Sequence, residues 1–203
     1  MPPSPEPYMP IHPTDSTPRL APQPVEDMRP EWLDILARIP GAGLKGAGFP
    51  RNVLGVLMYN PETFGPFLDY WVTCKLKMAI SVREQELVIL RMGVLYRSSY
   101  VWKHHVPVAR EFGVDEAELL ALRGGAYAGF AAREQALLAL TDELVENRTI
   151  RAETWALYKP ALPDGALVDL VNLVAQYVLF ALLNNAAQVQ VEPALAAIPG
   201  LEG

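Results

Sequence analysis

The sequence predicts an all-α fold, and three of its features do so. Apolar residues recur at helical spacings almost without interruption from residue 52 to residue 188. Helix-start and helix-stop signals punctuate that run, among them Ser81 followed by Glu84 and, further on, Gly113 and the Gly124-Gly125 pair. No alternating apolar/polar stretch joined by hairpin-turn chemistry competes with them.

Taken in order, residues 1–30 hold ten of the nineteen prolines and little apolar periodicity, so they are expected to form an extended or disordered arm. Tyr8, Met9, Ile11 and Leu20 could anchor such an arm on a neighbouring subunit. Residues 31–203 then form a single helical domain. A short helix over 31–38 follows Pro30, and 41–48 is a glycine-rich loop. Asn52 is placed to cap a helix carrying Val53, Leu54, Val56 and Leu57; Asn60-Pro61 ends it and opens the next, with Phe64, Leu68 and Trp71. The capping box at Ser81 opens a helix through Leu95, and a turn over 97–99 leads into another that Gly113 stops. Helices over 115–122, 132–145, 151–159 and 164–188 complete the count. Arg83-Glu84-Gln85 is echoed by Arg133-Glu134-Gln135 at the start of a later helix, a pattern open to internal duplication or to the common use of these residues at helix starts.

Composition narrows the function. A formal net charge of −6 and a pI near 5.1 argue against nucleic acid or an anionic membrane as partner. A hydrophobic share of 51% with mean hydropathy +0.12 predicts apolar surface buried between copies, hence a homo-oligomer. One cysteine, Cys74, cannot close an intramolecular disulfide, and with three histidines it supplies no metal-ligand set; no metal or other cofactor is expected. The first residues do not read as a signal peptide, and the stretch 167–183 is interrupted by Asp169, Asn172 and Gln176, which reads as a buried helix. The expected compartment is the cytoplasm.

The residues that could carry chemistry lie between Ser81 and Gly113. Ser98, Val101, His105, Val108 and Phe112 share one helix face, which turns His105 toward the core; His104, with Tyr100 and Glu111, is expected on a solvated face. Glu86 stands in the apolar run continued by Leu87-Val88-Ile89-Leu90, where an ionised carboxylate needs a partner. If the two helices form an antiparallel hairpin about residue 97, Glu86 meets His105. A carboxylate beside a half-buried imidazole is an acid/base pair. It is equally a way for two core polar groups to satisfy each other.

The run Ser81-Val82-Arg83-Glu84-Gln85-Glu86-Leu87-Val88-Ile89-Leu90-Arg91, continued by Ser99-Tyr100-Val101-Trp102-Lys103-His104-His105 and Ala109-Arg110-Glu111-Phe112-Gly113-Val114, resembles the core signature of the carboxymuconolactone decarboxylase and alkylhydroperoxidase D superfamily. The likeness extends through Gln176-Tyr177 and Leu183-Asn184-Asn185, covering about 50–195. It implies an antiparallel helical bundle of the alkylhydroperoxidase D-like type, assembled as trimers or hexamers. In the peroxidase branch a Cys-x-x-Cys pair precedes the histidine; here those cysteines fall on Ser98 and Val101, so a dithiol cycle has no thiol to run on. The cysteine-free decarboxylase branch implies a cofactor-independent lyase acting on a small carboxylated or lactone substrate, with Glu86 and His105 as the catalytic pair. Ser98, Tyr100 and Arg91 would bind substrate, with Arg97 and Lys103 as further candidates for its carboxylate. Two other functions stay open: a non-enzymatic or vestigial helical binding and assembly module and, third, a peroxidase-type antioxidant protein.

Overall fold

The computed structural model of the chain describes residues 17–39 and 49–201. Tyr8, Met9, Ile11 and the glycine-rich loop over 41–48 lie outside the described residues. The helices are α1 (Pro30–Leu36), α2 (Arg51–Leu57), α3 (Pro61–Lys77), α4 (Val82–Leu95), α5 (Ser99–Glu111), α6 (Glu116–Gly124), α7 (Ala132–Asn147), α8 (Ala152–Tyr158) and α9 (Asp164–Ala187). No strand occurs among the described residues. The all-α expectation holds, with boundaries displaced by a residue or two.

α4 is the centre of the molecule. It packs on α5, α6, α7 and α9 and buries Leu87, Val88, Ile89 and Leu90 in succession, as a helix surrounded on every side must. Ser81 caps it in a reciprocal box: Ser81 Oγ accepts from the Glu84 N–H, and Glu84 Oε2 accepts from the Ser81 N–H. At its other end Arg97 takes the left-handed conformation (φ 49°), and the chain returns as α5. The two helices approach closely at Gly93, where a Cβ would stand 3.3 Å from the Trp102 amide nitrogen.

The Arg-Glu-Gln echo has a structural counterpart. Arg83 Nε donates to Glu134 on α7 (2.7 Å), and Arg133 Nε donates to Glu84 on α4 (2.6 Å). Gln85 and Gln135 each donate to the carbonyl five residues earlier, on Ile80 and Phe130. The two segments are thus paired reciprocally across the α4–α7 contact.

One expectation is corrected. Asn52 does not cap α2; the helix begins behind Pro50, and Asn52 Nδ2 donates instead to the Gln190 carbonyl (2.7 Å). The described part of the proline-rich segment, 17–29, lies on the chain's own helices. Arg19 N–H donates to the Ala187 carbonyl and Gln23 N–H to the Gly55 carbonyl, while Val25 and Met28 are buried. Gly55 permits this: a Cβ there would come within 2.3 Å of the Gln23 carbonyl oxygen.

α9 is the one helix among the described residues that is long and apolar enough to cross a membrane by length and composition alone. Its inner face, including Leu170, Val174, Tyr177 and Ala181, is core. The reading of 167–183 as a buried helix holds for that face, while Val168, Val171, Leu179 and Leu182 on the other are exposed.

Candidate active site

The antiparallel α4–α5 hairpin sets Glu86 opposite His105. Glu86 is fully buried, and its Oε2 lies 2.6 Å from His105 Nδ1. A carboxylate accepts only, so Nδ1 carries the hydrogen of this bond. The far nitrogen, Nε2, lies 3.1 Å from the Tyr177 hydroxyl on α9, and the two rings meet edge to face at 5.2 Å. Lys75 on α3 brings Nζ to 3.5 Å from Glu86 Oε1. Burial alone would raise the Glu86 carboxyl, but the His105 imidazole and Lys75 outweigh it and hold the group below the ordinary carboxylate range. Burial, reinforced by the charge of Glu86, pushes the Tyr177 hydroxyl well above its usual value, so it stays protonated.

His104 corrects the expectation of a solvated face. It is buried, and its Nε2 lies 2.5 Å from Glu192 Oε2. The other oxygen of Glu192 accepts from the Tyr100 hydroxyl (2.9 Å) and the Asn52 N–H (2.9 Å); the Tyr100 oxygen in turn accepts from the Val53 N–H (3.3 Å). The Tyr100 and His104 rings stack at 4.3 Å. Burial raises the Glu192 carboxyl, yet the bond from His104 and the other donors bring it below its ordinary value. This second Glu–His pair has every carboxylate oxygen engaged and joins the chain after α9 to α2 and α5. The same segment covers the rest of α5: Trp102 donates to the Pro199 carbonyl and Lys103 to that of Ala196.

The histidines of both pairs border one cavity of about 40 Å³, room for a few waters or the edge of one small ring. Its walls are Val53, Leu54, Trp71, Val101 and Phe180, and its polar lining comes from Tyr100, His104, His105, Tyr177 and Asn184. Val101, where the peroxidase branch would hold a cysteine, is part of the apolar wall. No lysine or arginine lines it among the described residues.

Of the residues singled out in the sequence, Glu86, His105 and Tyr100 come together here, and Ser98 and Arg91 do not. Ser98 is buried at the hairpin turn, where its Oγ has no partner, and it does not line the cavity. Arg91 turns away to Asp142 (2.6 and 3.1 Å) and the Leu122 carbonyl (2.9 Å). Cys74 is half-buried on α3 and does not line the cavity. Glu192 and the roles of Asn184 and Tyr177 were not found from spacing; Tyr177 and Asn184 stood in the sequence only within the stretches of family likeness, and Glu192 lies in irregular chain that carries no helical signal.

Residues 61–143 match the model of the carboxymuconolactone decarboxylase family. No curated protein sequence matches the chain. Among solved structures the fold is shared with the debrominase Bmp8, 16% identical over 87% of this chain and 94% of that one, at a TM-score of 0.72. A cysteine-to-alanine variant of Bmp8 in complex with 2,3,4-tribromopyrrole is 14% identical over 87% and 93%, at 0.69. An uncharacterized peroxidase-related protein from Silicibacter sp. TM1040 is 16% identical over 72% and 78%, at 0.65. The chain thus carries a core similar to the carboxymuconolactone decarboxylase family over 61–143, within a helical fold shared with these structures.

Proposed function

We propose that the protein is a cofactor-independent lyase of the decarboxylase type, acting on a small carboxylated or lactone substrate by acid/base catalysis at the Glu86–His105 pair. The observation that carries this reading is the position of His105 at the wall of an apolar cavity, held between a buried carboxylate and a tyrosine hydroxyl. Apolar walls raise the energy of a bound carboxylate more than that of the charge-dispersed transition state for loss of carbon dioxide. The C–C bond breaks with its electron pair moving onto the adjacent carbon and carbonyl oxygen, and carbon dioxide leaves. Protonated His105, stabilised by Glu86, then gives up its Nε2 proton; the Tyr177 hydroxyl takes it while handing its own to the substrate carbon. Glu86 stays anionic throughout, and His105 recovers its proton from water. Tyr100 shapes the wall beside this relay.

The binding of a bromopyrrole by Bmp8 supports a small flat ring as the ligand of this fold. Thiol chemistry does not carry over, because Cys74 is not at the cavity. The proposal includes a homo-oligomer in the cytoplasm. α9 turns outward an apolar stripe, Val168, Val171, Ala175, Leu179, Leu182 and Ala186, whose spacings of three and four suit a second copy.

The test is release of carbon dioxide from a panel of small lactone carboxylates, with His105→Gln as control. Wild-type release should fall by roughly 10²- to 10⁴-fold in the variant. Release from no member of the panel, or equal release by both proteins, would overturn the proposal.

A further inference from the structure

Asn184 on α9 is unaccounted for by the proton-transfer reading. Its side chain is 3% exposed, it lines the same cavity, and neither Oδ1 nor Nδ2 has a hydrogen-bond partner. Its chain neighbour differs: Asn185 donates from Nδ2 to the Tyr96 carbonyl (2.8 Å). A carboxamide offers two donors and a two-lone-pair acceptor, and burying it unpaired is destabilising, where an apolar residue would be free of that penalty. None of the hydrogen bonds made by the other polar groups around the cavity reaches it. His105 is taken by Glu86 and Tyr177, and Tyr100 and His104 by Glu192. Ser98 and Gln176 also hold an unpaired buried atom, but neither lines the cavity. Asn184 is the position where a ligand would complete the hydrogen bonding.

The partner's chemistry follows from the surroundings. Among the described residues no lysine or arginine lines the cavity to hold an anion at Asn184, and two carboxylates, Glu86 and Glu192, stand directly behind its wall, each already paired with a histidine, so a neutral group suits Asn184 best. We propose that Asn184 recognises a neutral ring carbonyl with an adjacent hydroxyl or N–H: Nδ2–H donates to the carbonyl oxygen and Oδ1 accepts from the neighbouring donor. Resting on the lyase reading, this names the substrate class, and Nδ2–H is then a donor to the oxygen on which negative charge gathers as the C–C bond breaks.

Two small rings test it without turnover: 2-pyrrolidinone, which carries both a carbonyl and an N–H, and cyclopentanone, which lacks the donor. Binding is read by ligand-observed NMR on the full chain, beside thermal melts. The wild type should prefer the lactam by about tenfold, the worth of one hydrogen bond to a buried partner. Asn184→Leu should lose that preference while melting at or above the wild-type midpoint, since it removes a buried unpaired amide. A lactam preference that survives in Asn184→Leu, a lowered midpoint for that variant, or binding of neither ring by the wild type would overturn the inference. If Asn184→Leu does not fold, Asn184→Ala is read by the same preference, and its retention has the same meaning. His105→Gln separates this inference from the lyase reading: it should keep the lactam preference whatever it does to carbon dioxide release. Release unchanged in His105→Gln would then refute the lyase alone.

Discussion

Replacing His105 by Leu isolates what the Glu86–His105 pair does for the fold. In that variant Glu86, fully buried, loses the 2.6 Å bond to Nδ1 and keeps only Lys75 at 3.5 Å. Breaking a buried pair by removing one partner costs about 3–5 kcal/mol, because the remaining charge has lost both water and partner. For a chain of this size that is roughly 10 °C in melting midpoint. Replacing both residues by apolar ones removes the stranded charge, and such double replacements are often neutral or stabilising. The double variant Glu86→Leu/His105→Leu should therefore be more stable than His105→Leu alone, by about 2 kcal/mol or more. The assay is urea unfolding at neutral pH for the wild type, both single variants and the double. Additive losses, with the double variant the least stable of the four, would refute the reasoning.

Three further outcomes are expected. Glu86 and Glu192 both titrate below the ordinary carboxylate value in the folded chain, so their contribution to stability is complete above that value and is lost as pH falls through the lowered folded values; melting should hold steady down to the carboxylate range and then drop. Glu192→Ala strips the acceptor from His104, Tyr100 and the Asn52 N–H, and should destabilise by about 3 kcal/mol while making the chain after α9 more susceptible to limited proteolysis. Leu179→Glu, in the outward stripe of α9, should shift the sedimentation-equilibrium mass toward the monomer without loss of helical circular dichroism.

The helices were legible because periodicity survives wherever one face is core, and the Ser81 capping box located the start of the central helix to a residue. The Glu86–His105 contact was legible because hairpin geometry fixes which positions of two antiparallel helices face each other. His104 was misread because its face of α5, beside the one that carries Val101 and His105, is buried too, covered by the irregular chain after α9 that carries Glu192. Nothing in helical spacing reports cover that comes from an aperiodic segment 88 residues away. Arg91 was drawn into the substrate site by its place on the central helix, but Asp142 lay beyond what spacing could pair with it. Asn184 could be seen only with the cavity in view, since an unpaired amide is a property of its surroundings and not of its sequence neighbours.

The most direct test of acid/base catalysis at the Glu86–His105 pair is solvent-deuterium exchange at the carbon next to the carbonyl in a panel of small lactones, followed by NMR with wild type and His105→Gln. The wild type should catalyse exchange in at least one lactone, and His105→Gln should slow it by about 100-fold or more. Exchange at equal rates by both proteins would contradict the account.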